Sequence, residues 1–462
     1  MSNDNRIKGK ILWRGQIECL SPLHVGSGRD ERSDLDILLD TEGKPFIPAT
    51  SFIGILRHAV QERFPEKFEK NFWGYTENDD GRQSALCCSD LTLANAPSTD
   101  DIVTRDGIRI DNTKGLVKKG GKFDFELLER GSRFGFKFEL TFREQDEAVV
   151  KQTARAIYDL LAEGGVRLGA KTNSGFGYIR LVEAETRIYL FDFSRDENGS
   201  RKAKNSPQDD VCNWLKQNFS EQNSISVAEL GEPVSAKEKR FSITATLRLK
   251  NSLIVRSYAR DPKMSDTTQL KSRKDWVIPG NSLKGAIRAR AERIVNTLEL
   301  KNAEHIINEL FGKVDDERRS KNAKKGRVRM WEITMAQNDF PAELQTRIRV
   351  DRFTGGVIEG GLFDSMPIFA PKQDKTMTLH LDVRNCKEYE AGLLLLVLKD
   401  LWSGDLAIGG EKNIGRGVFQ GERAEIVWDD EQIILEKDMN NLSADAREKL
   451  QGLVKALVTE PV

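Results

Sequence analysis

Ile108-Arg109-Ile110-Asp111, followed by Gly120-Gly121-Lys122-Phe123-Asp124, returns 240 positions later as Ile348-Arg349-Val350-Asp351 followed by Gly360-Gly361-Leu362-Phe363-Asp364, in identical register across 17 residues. At the same offset Gly169-Ala-Lys-Thr-Asn173-Ser-Gly175-Phe-Gly177 matches Gly409-Gly-Glu-Lys-Asn413-Ile-Gly415-Arg-Gly417. Two earlier blocks keep the same order in both halves. Phe46-Ile47-Pro48-Ala49-Thr50-Ser51-Phe52-Ile53-Gly54-Ile55-Leu56-Arg57 corresponds, at an offset of 231, to Val277-Ile278-Pro279-Gly280-Asn281-Ser282-Leu283-Lys284-Gly285-Ala286-Ile287-Arg288, and Phe72-Trp73-Gly74 pairs with Leu310-Phe311-Gly312. Four matched blocks make the chain a duplication. The boundaries place one domain at 1–190, a linker at 191–238, a second domain at 239–428 and a C-terminal helical tail at 429–462.

A length of 462 residues agrees with two domains, and with 38% hydrophobic residues each has material for a core. No apolar run approaches the roughly 18 residues of a membrane helix, and the opening residues contain no apolar signal core, so a cytoplasmic protein without membrane contact is expected. The five cysteines form no metal-binding spacing. The 72 basic and 72 acidic residues cancel, yet residues 256–293 hold ten Lys/Arg against four Asp/Glu, and residues 313–329 hold eight against three. Neutrality is therefore an average over unlike regions, and local basic surface remains available to an anionic partner.

Each copy opens with a strand, since Phe241, Ile243, Ala245, Leu247 and Leu249 alternate strictly with polar residues, as Trp13, Gly15, Ile17 and Cys19 do. After a long polar loop and the Ile-Pro turn, Ser51 and Ser282 are expected to cap helices ending near Arg63 and Leu298. The matched glycines inside them, Gly54 and Gly285, suggest close approach by a ligand or a packed backbone. A second helix, over 147–162 and 388–401, runs into the glycine loop, and a last strand follows. Strand, helix, hairpin, helix, strand is the order of a ferredoxin-like (RRM-like) α+β fold, with both helices on one sheet face and the other face left for a partner. The stretch 195–210 is too polar to pack and reads as linker; Ser443 to Val458 reads as an amphipathic helix, either a docking element or a lid on the second core.

The glycine loop offers backbone N–H groups for an anion, a phosphate of RNA being the plausible guest, or it is a tight turn and nothing more. The charged loop before each Ile-Pro turn selects one acid per copy: Asp34 lies 14 residues before Pro48, and Asp266 lies 13 before Pro279. A carboxylate there suits a divalent metal or the orientation of a 2'-hydroxyl, and equally suits a solvated surface. His24, in Leu23-His24-Val25-Gly26-Ser27-Gly28, is either a general acid/base or a structural histidine.

Taken together, Leu-His-Val-Gly-Ser-Gly, the Ile-Pro blocks, Leu-Phe-Gly, the Ile-Arg-Ile-Asp to Phe-Asp block and the glycine loop resemble the repeat-associated mysterious protein (RAMP) superfamily. More narrowly they resemble backbone subunits of type III CRISPR effector complexes, the doubled chain looking like the fused subunits of III-D-like systems. The resemblance implies two tandem ferredoxin-like RAMP domains, each with a thumb β-hairpin insertion, here in 105–130 and 345–370. It implies guide RNA, target RNA and other CRISPR effector subunits as partners, and a divalent metal, Mg2+ or Mn2+, as cofactor. Carried over by position, the cleaving acids are Asp34 and Asp266, also the metal candidates, with Asp36 a rival in copy one and Asp261 in copy two. RNA contacts fall to His24, Ser51, Arg57, Gly169, Asn173, Gly175, Lys284, Arg288, Gly409, Asn413 and Gly415; the family's helix lysine is Lys284 in copy two but Ile53 in copy one. The function implied is cleavage of complementary RNA at two sites. The alternatives are a non-catalytic guide-binding scaffold and a guide-processing endoribonuclease using His24.

Overall fold

A computed structural model describes residues 6–28, 35–65, 69–77, 80–94, 101–111, 115–194, 207–217, 219, 221–233, 240–258, 265–313, 324–371, 374–429, 431–438 and 442–459. The chain forms two compact units: Met1–Thr104 with Glu126–Thr172 and Gly177–Lys237, and Glu238–Val462 with Arg105–Phe125 and Asn173–Phe176.

The first copy is built from β1 (Ile7–Cys19), α1 (Ala49–Arg63), β2 (Leu86–Cys88), β3 (Leu91–Leu93), β4 (Ile102–Asp111), β5 (Leu116–Leu128), β6 (Arg133–Arg143), α2 (Glu147–Ala162), β7 (Val166–Arg167), β8 (Tyr178–Leu181) and β9 (Arg187–Asp192), of which residues 105–125 of the β4–β5 hairpin belong to the second unit and the rest to the first. Strand β1 lies between β6 and β8, antiparallel to both, and β6 pairs onward with β2 and β3. Trp13 and Phe138 are register partners and so share a face. Phe138 meets Phe52 of α1 at 5.7 Å between ring centroids, and Trp13 meets Tyr158 of α2 at 5.8 Å, which puts both helices on that face. Burying such rings contributes on the order of 2 kcal/mol each.

The opposite face is not left open. From Pro207 the chain returns as a helix over Pro207–Leu215. Lys10, one parity step from Trp13, stacks its ammonium 4.6 Å from the Trp214 ring, and Arg14 lies 4.1 Å from the Phe219 ring. Farther along, Arg155 donates to the carbonyls of Val227 and Gly231, and Leu230 is buried. The segment assigned to the linker at 191–238 therefore packs within the first unit from residue 207, through a few aromatic and apolar anchors, and of the polar stretch 195–210 only 207–210 is among the described residues. Residues 195–206 lie outside the described residues.

The second unit repeats the plan with β10 (Arg240–Leu249), β11 (Arg256–Tyr258), β12 (Thr267–Gln269), α3 (Gly280–Thr297), β13 (Val328–Met330), β14 (Gln345–Val350), β15 (Val357–Met366), β16 (Met377–Arg384), α4 (Glu388–Ser403), β17 (Phe419–Trp428), β18 (Glu431–Glu436) and α5 (Ala444–Thr459). Its main sheet runs β13-β16-β10-β17-β18, every pairing antiparallel. Beside it a four-stranded sheet runs β11-β12-β15-β14, in which β12 is parallel to β15 and the hairpin β14–β15 is antiparallel. Within this unit Arg105 ion-pairs Glu332 at 2.7 Å, and Phe125 packs edge-on against Phe176 at 5.9 Å.

Two local expectations change. Helices α1 and α3 are capped by Pro48 and Pro279, at φ −59° and −67°, and the N–H groups of Ser51 and Ser282 donate to those proline carbonyls at 3.0 Å. Both serines sit inside the first turn, because the fixed proline φ already sets the helix start and leaves no N–H to be satisfied. Gly54 and Gly285 have nothing within 4 Å of where a Cβ would stand, so no packed backbone accounts for them. No described helix is long and apolar enough to cross a membrane.

Helix α5 covers α4 with Leu453, Ala456 and Leu457, the lid arrangement. Its approach depends on Gly392 of α4, where a Cβ would stand 2.1 Å from the Leu453 carbonyl oxygen. Gly392→Val is expected to release α5 at a cost of about 1–3 kcal/mol. Limited proteolysis should then remove the C-terminal residues from the variant while the parent chain resists.

Candidate nucleic-acid interface

In both copies the glycine loop is stitched to the end of the first strand's loop by the same backbone bonds. Gly177 N–H donates to Pro22 O at 2.8 Å and Ala170 N–H to His24 O at 2.8 Å; in the second unit Gly417 N–H donates to Ser252 O at 2.7 Å and Gly410 N–H to Ile254 O at 2.7 Å. Each loop closes on itself through Leu168 N–H to Gly177 O and Ile408 N–H to Gly417 O. Gly169, Gly177, Gly409 and Gly417 all have positive φ, and a Cβ at Gly417 would stand 1.8 Å from Ile408 O. Glycine is demanded here by geometry. Ile414 and Gly415 N–H groups also donate inside their turn, to Glu411 and Lys412 carbonyls. The loop in the second unit is thus not a row of open donors; what it exposes are Lys412, Asn413, Ile414 and Gly415.

In the first unit His24 is 2% exposed, and its Nδ1 lies 2.8 Å from the Glu126 carbonyl. Burial, with a smaller contribution from the Lys171 charge, holds the imidazole below its ordinary pKa. Glu126 accepts the Ile37 N–H through Oε2, and its own N–H donates to Leu35 O. Asp36 is fully buried on this hairpin, with its charge felt at His24. Lys171, at φ 56°, is pushed down to about 8 by burial. Gly169 and the Ser51 and Arg57 positions are exposed; Gly175 and Asn173, which belong to the second unit, are buried and half-buried. Asp34 lies outside the described residues, as does Asp261.

In the second unit Asp266 is exposed and accepts the Asp364 N–H through Oδ2 at 3.1 Å. Lys284 is 8% exposed and donates to Val328 O at 3.1 Å. Arg288 donates to Glu292 at 2.8 Å and to Gly312 O at 2.9 Å, and Arg290 pairs with Asp400. Three of the ten basic residues of that run, Lys284, Arg288 and Arg290, thus hold helix α3 to its neighbours. Among the described residues no group of three or more His, Cys, Asp or Glu side chains forms a metal cage.

The side chains that sequence reasoning passed over are Glu126, Lys171, Arg256, Arg347 and Glu411. Glu411, 8% exposed at its side chain, pairs with Arg256 at 3.1 Å, with Arg416 at 2.8 Å, and with Arg347. Burial raises its pKa, but the hydrogen bonds from Arg347 and Arg256 and the charges of Arg416 and Arg347 outweigh that and hold the carboxyl below its ordinary value. The signal was present in the aligned glycine loops, where Lys171 faces Glu411 at the offset of 240, a charge reversal inside an otherwise matched block.

The sequence model of the RAMP superfamily matches residues 16–180 and again 246–420, one copy in each repeat. A curated relative, the CRISPR system Cms endoribonuclease Csm3 of Methanocaldococcus jannaschii, is 27% identical over 225 residues, which is 42% of this chain and 88% of that protein.

The stitching can be tested apart from any activity. Gly169→Ala would set a Cβ 2.1 Å from His24 O at φ 80°, and Gly409→Ala one 2.7 Å from Ile254 O at φ 99°. Each change is expected to destabilise its own unit by about 2 kcal/mol or more, from left-handed strain plus the clash, and thermal unfolding should register both.

Proposed function

From the premise that this chain belongs to the RAMP superfamily, matched over both repeats, we propose that it is a fused double backbone subunit of a type III CRISPR effector complex. In that complex it binds guide RNA, together with other effector subunits, and cleaves complementary target RNA at two sites in the cytoplasm. The relative named an endoribonuclease of a CRISPR system supports the reaction class. The single observation that carries the doubled site is the repeated stitch: Gly177 to Pro22 and Gly417 to Ser252 fix the glycine loop against the segment leading into the Asp34 loop and the Asp266 loop alike.

Each copy on this reading is a ferredoxin-like palm with a thumb. The strand order β8-β1-β6-β2/β3 and the order β17-β10-β16-β13 support the palm. The paired strands β4 and β5, and β14 with β15, support the thumbs. Ile348, Val350 and Leu362 expose apolar surface on the second hairpin, and Phe353 at its tip is 99% exposed. Such side chains can wedge beside an unstacked base, while base pairing with the guide supplies sequence choice and the protein grips backbone and duplex shape. Phosphate contacts fall to the glycine loops, through Gly169, Asn173, Gly175, Gly409, Asn413 and Gly415, and to Arg57 and Arg288 on the matched helices.

Asp34 and Asp266 are the cleaving acids of this proposal. Asp266 is exposed and has its Oδ2 anchored by the Asp364 N–H, which restrains the carboxylate. A Mg2+ or Mn2+ ion held there would supply positive charge to the phosphate oxygens. The carboxylate's own task is to orient the 2'-hydroxyl for attack on the adjacent linkage. Burial of the His24 ring, with Nδ1 held by the Glu126 carbonyl, argues against a guide-processing role for that residue.

In the assembled complex on complementary RNA, Asp34→Ala and Asp266→Ala should each abolish one cleavage position and leave guide and target binding intact. An unchanged two-cut pattern in the double variant would leave the passive scaffold as the surviving reading. Lys171 gives a pH signature. Its amine is charged below about 8, and a docked phosphate favours the charged form, so binding takes up a proton above that pH. Guide affinity should therefore fall as pH rises through about 8, and Lys171→Gln should flatten the profile in a filter-binding titration at fixed salt.

A further inference from the structure

The strand that presents Asp266 is the second of the four-stranded sheet β11-β12-β15-β14: Asp266 immediately precedes β12, whose Thr267 is register partner to Tyr258 of β11 on one side and to Ser365 of β15 on the other. The two outer strands are β11 and β14. One carboxylate reaches both. Glu411, on the glycine loop, pairs with Arg256 of β11 at 3.1 Å and with Arg347 of β14, whose guanidinium also donates to Ser365 Oγ at 3.0 Å. Arg416 completes the bracket, pairing with Glu411 at 2.8 Å and donating to Gln345 at the start of β14.

Three arginines around one buried carboxylate leave an excess of positive charge, and the Glu411 backbone sits at φ 55°, in the left-handed region that disfavours a non-glycine residue. A strained, highly coordinated side chain next to the proposed chemistry is where positioning is expected. The other copy supplies the contrast. At the offset of 240, Lys171 replaces Glu411, Gly107 replaces Arg347 and Phe176 replaces Arg416, so the first repeat has no equivalent bracket.

We propose that Glu411 is a positioning residue for the second site only: by tying both edges of the sheet to the glycine loop it fixes the strand that carries Asp266, and through the Asp266 Oδ2 to Asp364 N–H bond it fixes the direction of that carboxylate. This rests on the reading of Asp266 as a cleaving acid. Removing the bracket lets the sheet edges relax and turns the carboxylate away from the linkage, while the first site, built without it, serves as an internal control in the same molecule.

The test uses the reconstituted complex with guide and a doubly labelled complementary RNA, comparing the parent with Glu411→Gln, Glu411→Asp and Arg347→Gln in single-turnover cleavage, with target affinity measured in parallel. The position lost in Asp266→Ala defines the second cut. Glu411→Gln and Arg347→Gln should slow that cut roughly 10- to 100-fold, with target affinity and the other cut unchanged, and Glu411→Asp should recover part of the rate. Equal slowing of both cuts, loss of target binding, or no change at either cut would overturn the proposal. If Asp266→Ala itself leaves both cuts intact, the assignment of Asp266 fails independently of Glu411; if Asp266→Ala silences one cut and Glu411→Gln does not slow it, the bracket alone is refuted.

Discussion

A backbone N–H from a left-handed glycine to a carbonyl at the end of the first strand, Gly177 to Pro22 and Gly417 to Ser252, is the contact on which each unit's working end depends. It joins elements about 155 residues apart in the first copy and about 165 apart in the second, and it is possible only because a Cβ at either glycine would collide with the carbonyl of Leu168 or Ile408. Once that bond is made, the segment leading to each acidic loop lies against the glycine loop, and no long side chain is needed to hold it there. Backbone-to-backbone attachment also explains how two copies can diverge in nearly every side chain around the site while keeping the same geometry.

The large features were readable because they rest on periodicity and repetition. Alternation in 241–249 gave a strand over Arg240–Leu249, and the apolar face beginning at Glu147 gave a helix over Glu147–Ala162. The tail helix was likewise legible from its amphipathic spacing. The boundary of the linker was misplaced where a few contacts decide the outcome. The segment after Pro207 docks through Trp214 and Phe219 beneath Lys10 and Arg14, and cation–π stacking of that kind leaves no period in a sequence. The helix starts were misplaced by three residues because Ser51 and Ser282 are attractive caps, whereas the prolines ahead of them had already fixed the backbone.

At the candidate site, charge was legible but its partners were not. A run of arginines predicts an anion, and the sequence cannot say that Arg290 faces Asp400 or that Lys284 faces a carbonyl, since those partners lie over forty residues away. Local positive charge that neutralises buried acids and satisfies strand carbonyls contributes to the fold and is withdrawn from any nucleic acid. The exposed groups that remain, on the hairpins and the glycine loops, are fewer and more dispersed. On the proposed function, that distribution leaves sequence recognition to base pairing, because a dense basic surface would bind any RNA with comparable strength.

Duplication followed by divergence then has a physical direction. The first copy carries Ile53 on its helix and Lys171 in its loop; the second carries Lys284 and Glu411 at the same places. In the second copy the loop acid draws three arginines inward and fastens a sheet that has two exposed edges, β11 and β14, while the helix lysine turns to the Val328 carbonyl. In the first copy the loop lysine is half-buried beside a neutral histidine, with burial depressing its charge. The two candidate sites share a backbone frame and differ in the charged groups that hold it, so a single chain containing both separates the contribution of the frame from that of the side chains.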